Sequence, residues 1–91
     1  MATDPFDHVL EPYLRDGRII QIPRQRKKRL VLLDLLAQEF EPGVRYSERE
    51  VNEVLARFHE DTAALRRYLV DDEFMERDAG VYWRAGGSWE V

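Results

Sequence analysis

The sequence predicts an α+β fold: three core helices closed by a C-terminal β-hairpin, with a short helix and a short strand in front. Three observations carry this. Apolar residues recur at helical spacing in three separate stretches, each bounded by capping or turn residues. Two short alternating segments, FMERD at 74–78 and VYWR at 81–84, flank the tight-turn pair Ala79-Gly80. The second and third helical stretches are separated only by His59-Glu60-Asp61, the short break that a helix-turn-helix requires.

Taken in chain order, Asp4-Pro5 reads as an N-cap followed by proline in the first helical turn. Phe6, Val9, Leu10 and Tyr13/Leu14 recur at helical spacing, and Pro12 restricts them to a short or kinked helix. Asp16-Gly17 is a turn or helix stop. RIIQI at 18–22, rich in β-branched residues, reads as a strand that Pro23 ends. The first core helix is expected from about Gln25 to Phe40, with Leu32, Leu33, Leu36 and Phe40 as its apolar stripe. Glu41-Pro42-Gly43 stops it, and Val44-Arg45-Tyr46 is a brief extended piece. Ser47-Glu48-Arg49-Glu50 has the form of a capping box, in which the Ser47 hydroxyl caps the backbone and Glu50 reaches back. Val51, Val54, Leu55 and Phe58 follow as the apolar face of the second helix. Asp61 caps a third, from Thr62 to about Val70, with Leu65, Tyr68 and Leu69 inward. In the hairpin Tyr82 and Trp83 alternate, so one ring faces the core and the other is exposed. This is the element order of a winged helix-turn-helix, with the hairpin as the wing. The chain divides into an N-terminal helical extension (1–14), a winged-helix-like domain (15–84) and a C-terminal tail (85–91).

At 91 residues, 44% hydrophobic and 35% charged, the chain suffices for one small domain with a single core and is too apolar for a fully disordered protein. Cysteine is absent, which excludes disulfides and thiolate metal sites and fits a reducing cytoplasm. No stretch approaches the roughly 20 apolar residues that span a membrane. MATDPFDHVLEPYL has no basic leader ahead of an apolar run, so no signal peptide is expected.

The sequence offers little to catalysis. His8 and His59 lie far apart, and Ser47 is accounted for by capping. His59, Glu60 and Asp61 are adjacent and cannot all face one way on a helix, so a loop or cap role is the simpler reading. The glycines match no phosphate-loop spacing. Asp71, Asp72 and Glu73 read as a solvated helix terminus. No enzyme activity, metal or cofactor is expected.

The net charge is −4, yet Arg15 to Arg29 holds seven cations and one anion, Asp16. Five of those cations, Arg24, Arg26, Lys27, Lys28 and Arg29, stand at the start of the first core helix. Positive charge there opposes the helix dipole and costs roughly 0.3–1 kcal/mol per residue at low salt. A solvated face is the ordinary explanation of a charge run. Here the cost and the absence of anions within the run point instead to a bound anion. On the third helix Thr62, Ala63, Arg66, Arg67 and Val70 face outward, and Arg66 could pair with guanine or phosphate. Asp61 has the wrong sign for a phosphate backbone, and the helix lacks Asn, Gln, Ser and Lys.

Residues 15–84 resemble a small bacterial domain of no assigned activity that occurs alone or fused behind ArsR-type helix-turn-helix regulators. DGRIIQIP, RQRKKRLVLLDLL, FEPGVRYSEREVNEVL, ALRRYLVD and VYWR carry the resemblance. It implies a winged-helix-like fold and a setting in transcriptional regulation, and supplies no catalytic residue and no ligand.

Two functions follow as expectations. The first is a nucleic-acid-binding regulator, DNA before RNA, that contacts phosphates through Arg24, Arg26, Lys27, Lys28 and Arg29, helped by Arg45, Arg66 and Arg67. Four or five neutralised phosphates predict a slope of about −4 for log K against log salt. Specificity would require a homodimer or a second domain. The second is a protein-interaction module on the same scaffold whose basic run docks on an acidic partner in the transcription or translation machinery.

Overall fold

A computed structural model describes residues 9–85. Helical periodicity does not carry through Tyr13 and Leu14. Val9 and Leu10 are helical, Glu11–Tyr13 form one 3-10 turn, and Leu14–Arg15 (β1) pairs antiparallel with Arg18–Ile19 (β2). Pro12 stands in the 3-10 turn, where it has no helical hydrogen bond to donate. Asp16 and Gly17 both have positive φ, 53° and 79°, as a two-residue turn with the twist of its strands requires. The expected strand at 18–22 is cut to Arg18–Ile19 because β1 offers only two residues to pair with. The Ile19 amide then donates to the Phe58 carbonyl at 2.8 Å, and the Arg18 guanidinium donates to the carbonyls of Ala56 and Arg57. The N-terminal hairpin thereby satisfies open carbonyls at the end of the second core helix.

The first core helix, α1, spans Arg26–Ala37. It stops short of Phe40, which turns inward from the following loop and is 1% exposed. Pro42 and Gly43 (φ 84°) close the turn, and the Val44 amide donates to the Glu41 carbonyl. Arg45–Ser47 is a strand, β3. Ser47 also caps α2, Glu48–Ala56: Glu50 N–H donates to the Ser47 hydroxyl at 3.1 Å, and Ser47 N–H donates to the Glu50 carboxylate at 2.8 Å. The third helix, α3, spans Thr62–Asp71, and its Ala64 N–H donates to the Asp61 carboxylate. His59 Nδ1 accepts from the Asp61 N–H, so the ring serves the turn between α2 and α3.

Met75–Asp78 (β4) and Val81–Arg84 (β5) form the expected hairpin about Ala79-Gly80. β3 pairs antiparallel with β5, placing Tyr46 opposite Tyr82 and giving the sheet order β3-β5-β4. Among the described residues the architecture is α+β, with three core helices and two small antiparallel sheets.

One core joins the elements. Leu32, Leu33 and Leu36 of α1 meet Val51 and Leu55 of α2, Leu65 and Leu69 of α3, and Met75 and Tyr82 of the hairpin. Leu10 and Ile19 seal its N-terminal side. No polar or charged residue is fully buried among the described residues. Each helix is too short to be stable alone, so burial of its apolar face holds it in place.

Candidate nucleic-acid interface

The basic run begins α1 as expected, and no side chain caps that helix: Gln25 occupies the N-cap without a side-chain hydrogen bond to the helix, and the first turn carries no acidic residue. The fold treats its five cations differently. Arg26 reaches across to Asp72, just past the end of α3, at 3.1 Å. Asp72 is 10% exposed at its side chain, so the expected solvated acidic terminus is partly an ion pair. Arg29 turns back to donate to the carbonyls of Arg24 (3.1 Å) and Pro23 (3.4 Å) and lies 4.5 Å above the Tyr68 ring. Both are contacts that local sequence cannot display, because Asp72 and Tyr68 lie about forty residues on. Lys28 is half-buried, its Nζ 5.8 Å from the centre of the Tyr13 ring. Arg24 and Lys27 are exposed, and no ion-pair partner for either occurs among the described residues.

On α3, Arg66 turns toward α2, with its side chain 20% exposed. Its guanidinium donates to the Asn52 side-chain oxygen and lies 3.8 Å from the Glu48 carboxylate. Glu48 also accepts from the Tyr82 hydroxyl at 3.2 Å, so α2, α3 and β5 are stitched together there. Glu53 faces Arg49 one helical turn away. Arg67 is exposed and, among the described residues, has no ion-pair or hydrogen-bond partner for its side chain.

Between α3 and the hairpin lies a cleft of about 150 Å³, lined by Ala63, Arg66, Arg67, Val70, Asp71, Arg77 and Tyr82. Three arginines and one aspartate are among these lining residues. Arg77 is the member that sequence reasoning passed over, since in β4 it sits among Glu76 and Asp78 and reads as one charge in a mixed strand. The signal available was its register, because Arg77 pairs with Tyr82 across the hairpin.

Arg45 is committed elsewhere. It lies opposite Trp83 across the β3–β5 ladder, with its guanidinium 4.7 Å from the ring centre. The Trp83 indole N–H donates to Glu76 at 2.9 Å. Tyr82 is the inward ring of the pair, 1% exposed, and Trp83 is half-buried beneath Arg45. The acidic side of the molecule is α2 and the turn after it. A shallow depression there is bordered by Glu48, Glu53, Glu60 and Thr62, at the N-terminal end of α3.

Sequence and geometry together define a small α+β domain in which Arg24, Lys27 and Lys28 at the start of α1, Arg67 on α3 and Arg77 on the hairpin have no anionic partner among the described residues, with acidic groups on α2. The chain belongs to the family described as an uncharacterized protein conserved in bacteria (DUF2087), whose model matches residues 18–84. No curated protein and no solved structure matches the chain.

Proposed function

We propose that this chain is a winged-helix module that binds nucleic acid, duplex DNA before RNA, and acts in transcriptional regulation. The order α1–β3–α2–α3–β4–β5, with β3 paired beside the returning hairpin, supports the winged-helix reading. The resemblance to domains fused behind ArsR-type regulators supports the regulatory setting. The observation that carries the binding reading is the set of cations without an anionic partner among the described residues. Arg24, Lys27 and Lys28 stand at the uncapped start of α1, and Arg67 stands on α3.

Contacts of this kind go mainly to phosphates and position the duplex without reading it. Arg26 is paired with Asp72 and Arg29 is held by carbonyls and Tyr68, so fewer groups remain than the run contains. About three neutralised phosphates correspond to a slope near −3. A homodimer or a second domain would supply sequence discrimination. The carboxylates of Glu48, Glu53 and Glu60 beside the N-terminal end of α3 favour a second reading, a protein-interaction module that docks its basic run on an acidic partner.

Fluorescence anisotropy with a labelled duplex and an RNA hairpin, at about 50 and about 150 mM salt, separates the two. The expected result is binding that weakens steeply with salt and is much weaker, with a lower salt slope, in K27E/K28E. Absence of binding to either probe at the lower salt would overturn the nucleic-acid reading and leave the protein partner to be sought.

A further inference from the structure

We propose that the cleft between α3 and the β4–β5 hairpin is a phosphate-binding site formed by Arg66, Arg67 and Arg77. Three observations support it. First, most arginines of this domain are engaged: Arg18 with carbonyls, Arg26, Arg49 and Arg57 with carboxylates, Arg29 with carbonyls and a ring, Arg45 with Trp83. Arg67 and Arg77 have no ion-pair or hydrogen-bond partner for their side chains among the described residues, and both line the same cleft. Asp71, the one carboxylate in the lining, offsets only part of the charge, so the two arginines still repel each other and a bound anion lowers that cost.

Second, the third arginine is positioned. Asn52 and Glu48 hold the Arg66 guanidinium from the α2 side, and Arg66 also lines the cleft. Planar guanidinium forks match the oxygens of a phosphate, and a fork that is already ordered loses little freedom on binding. Third, charge and volume select the ligand. Asp71 is the only carboxylate among the lining residues and Glu48 offsets Arg66 from behind, so a formal +1 remains at the cleft. The surplus is positive, and guanidinium groups match the several oxygens of a phosphoryl group. About 150 Å³ is well below the roughly 300–1,000 Å³ of whole-ligand pockets, so the cleft takes one phosphoryl group and leaves the rest of its bearer outside.

Two sources share this chemistry: a phosphate of a nucleic-acid strand, and free phosphate or a small phosphorylated molecule. The strand source rests on the function proposed above, whereas the free source does not. The test follows the Arg67 and Arg77 Nε–Hε signals of the full 15N-labelled chain by NMR. Inorganic phosphate and a short DNA duplex are titrated separately, with chloride at matched ionic strength as the control. Both signals are expected to shift and saturate with at least one probe, and not with chloride. Calorimetry should then show affinity for that probe reduced about tenfold or more in R67Q/R77Q. A response to the duplex alone assigns the strand as source. A response to inorganic phosphate assigns the free ligand, and it stands even if K27E/K28E and the parent both fail to bind DNA. Signals unmoved by both probes, or unchanged affinity in R67Q/R77Q, would overturn the site.

Discussion

Ala79 and Glu73 are the two residues whose backbone conflicts most plainly with their side chains. Ala79 has φ 50° in the β4–β5 turn, and Glu73 has φ 67° immediately after α3. Left-handed backbone brings Cβ close to the following carbonyl and costs roughly 1–2 kcal/mol for an L-residue other than glycine. Glu73 occupies the glycine position of a Schellman ending: Phe74 N–H donates to the Leu69 carbonyl at 2.8 Å, and Glu73 N–H donates to Val70 at 3.1 Å. Glu73→Gly is therefore expected to raise stability by about 1 kcal/mol. Ala79→Asn, which produces the Asn-Gly pair favoured in two-residue hairpin turns, should do the same. Urea midpoints with unchanged slopes would verify both, and a fall in midpoint for either would refute the strain argument.

At the scale of elements, helix ends decide how the parts meet. Both hydrogen bonds of the capping box join β3 to α2, so Ser47→Ala should cost about 1 kcal/mol in chemical denaturation. The Arg26–Asp72 pair ties the start of α1 to the end of α3, with Arg26 66% exposed at its side chain. Exposed pairs contribute only about 0.2–1 kcal/mol. Asp72→Asn should accordingly leave stability nearly unchanged while releasing Arg26. On the nucleic-acid reading, the freed cation steepens the salt dependence of duplex binding by about one unit of slope. An unaltered slope in Asp72→Asn would mean that Arg26 does not face the strand.

For the whole molecule, a single core holds every element, and Leu65 of α3 lies at its centre with no exposed surface. Leu65→Ala should cost roughly 2–5 kcal/mol. That is a large share of the 5–15 kcal/mol by which such domains are stable, and thermal unfolding should move down by many degrees. Charge is also segregated: carboxylates gather on α2 and the turn after it, while Arg24, Lys27, Lys28, Arg67 and Arg77, with no anionic partner among the described residues, lie at the start of α1 and along the cleft beside α3. K27E/K28E reverses two cations in the first turn of α1, one exposed and one half-buried, where carboxylates suit the helix dipole, so it should fold as the parent does, with near-equal urea midpoints. It should also lower the salt slope of duplex binding by about two units. A parent-like slope would place the contact surface away from α1.

Helices α1, α2 and α3 and the β4–β5 hairpin were legible in the residues alone. Their signals are local: apolar spacing, the Ser47 and Asp61 caps, and the Ala79-Gly80 turn. The same locality accounts for the errors. The Tyr13/Leu14 spacing resembles a helix, yet those residues enter the 3-10 turn and hairpin that dock on the end of α2, a surface distant in sequence. The sequence also determined that a basic run begins α1. It could not determine which of those cations stay unpaired, because pairing depends on what folding brings within a few ångströms. Asp72 and Tyr68 claim Arg26 and Arg29, and Glu48 and Asn52 claim Arg66. The hairpin register brings Arg77 to the same cleft as Arg67. Short-range chemistry thus set the elements, and only the tertiary packing decided where charge was left without a partner.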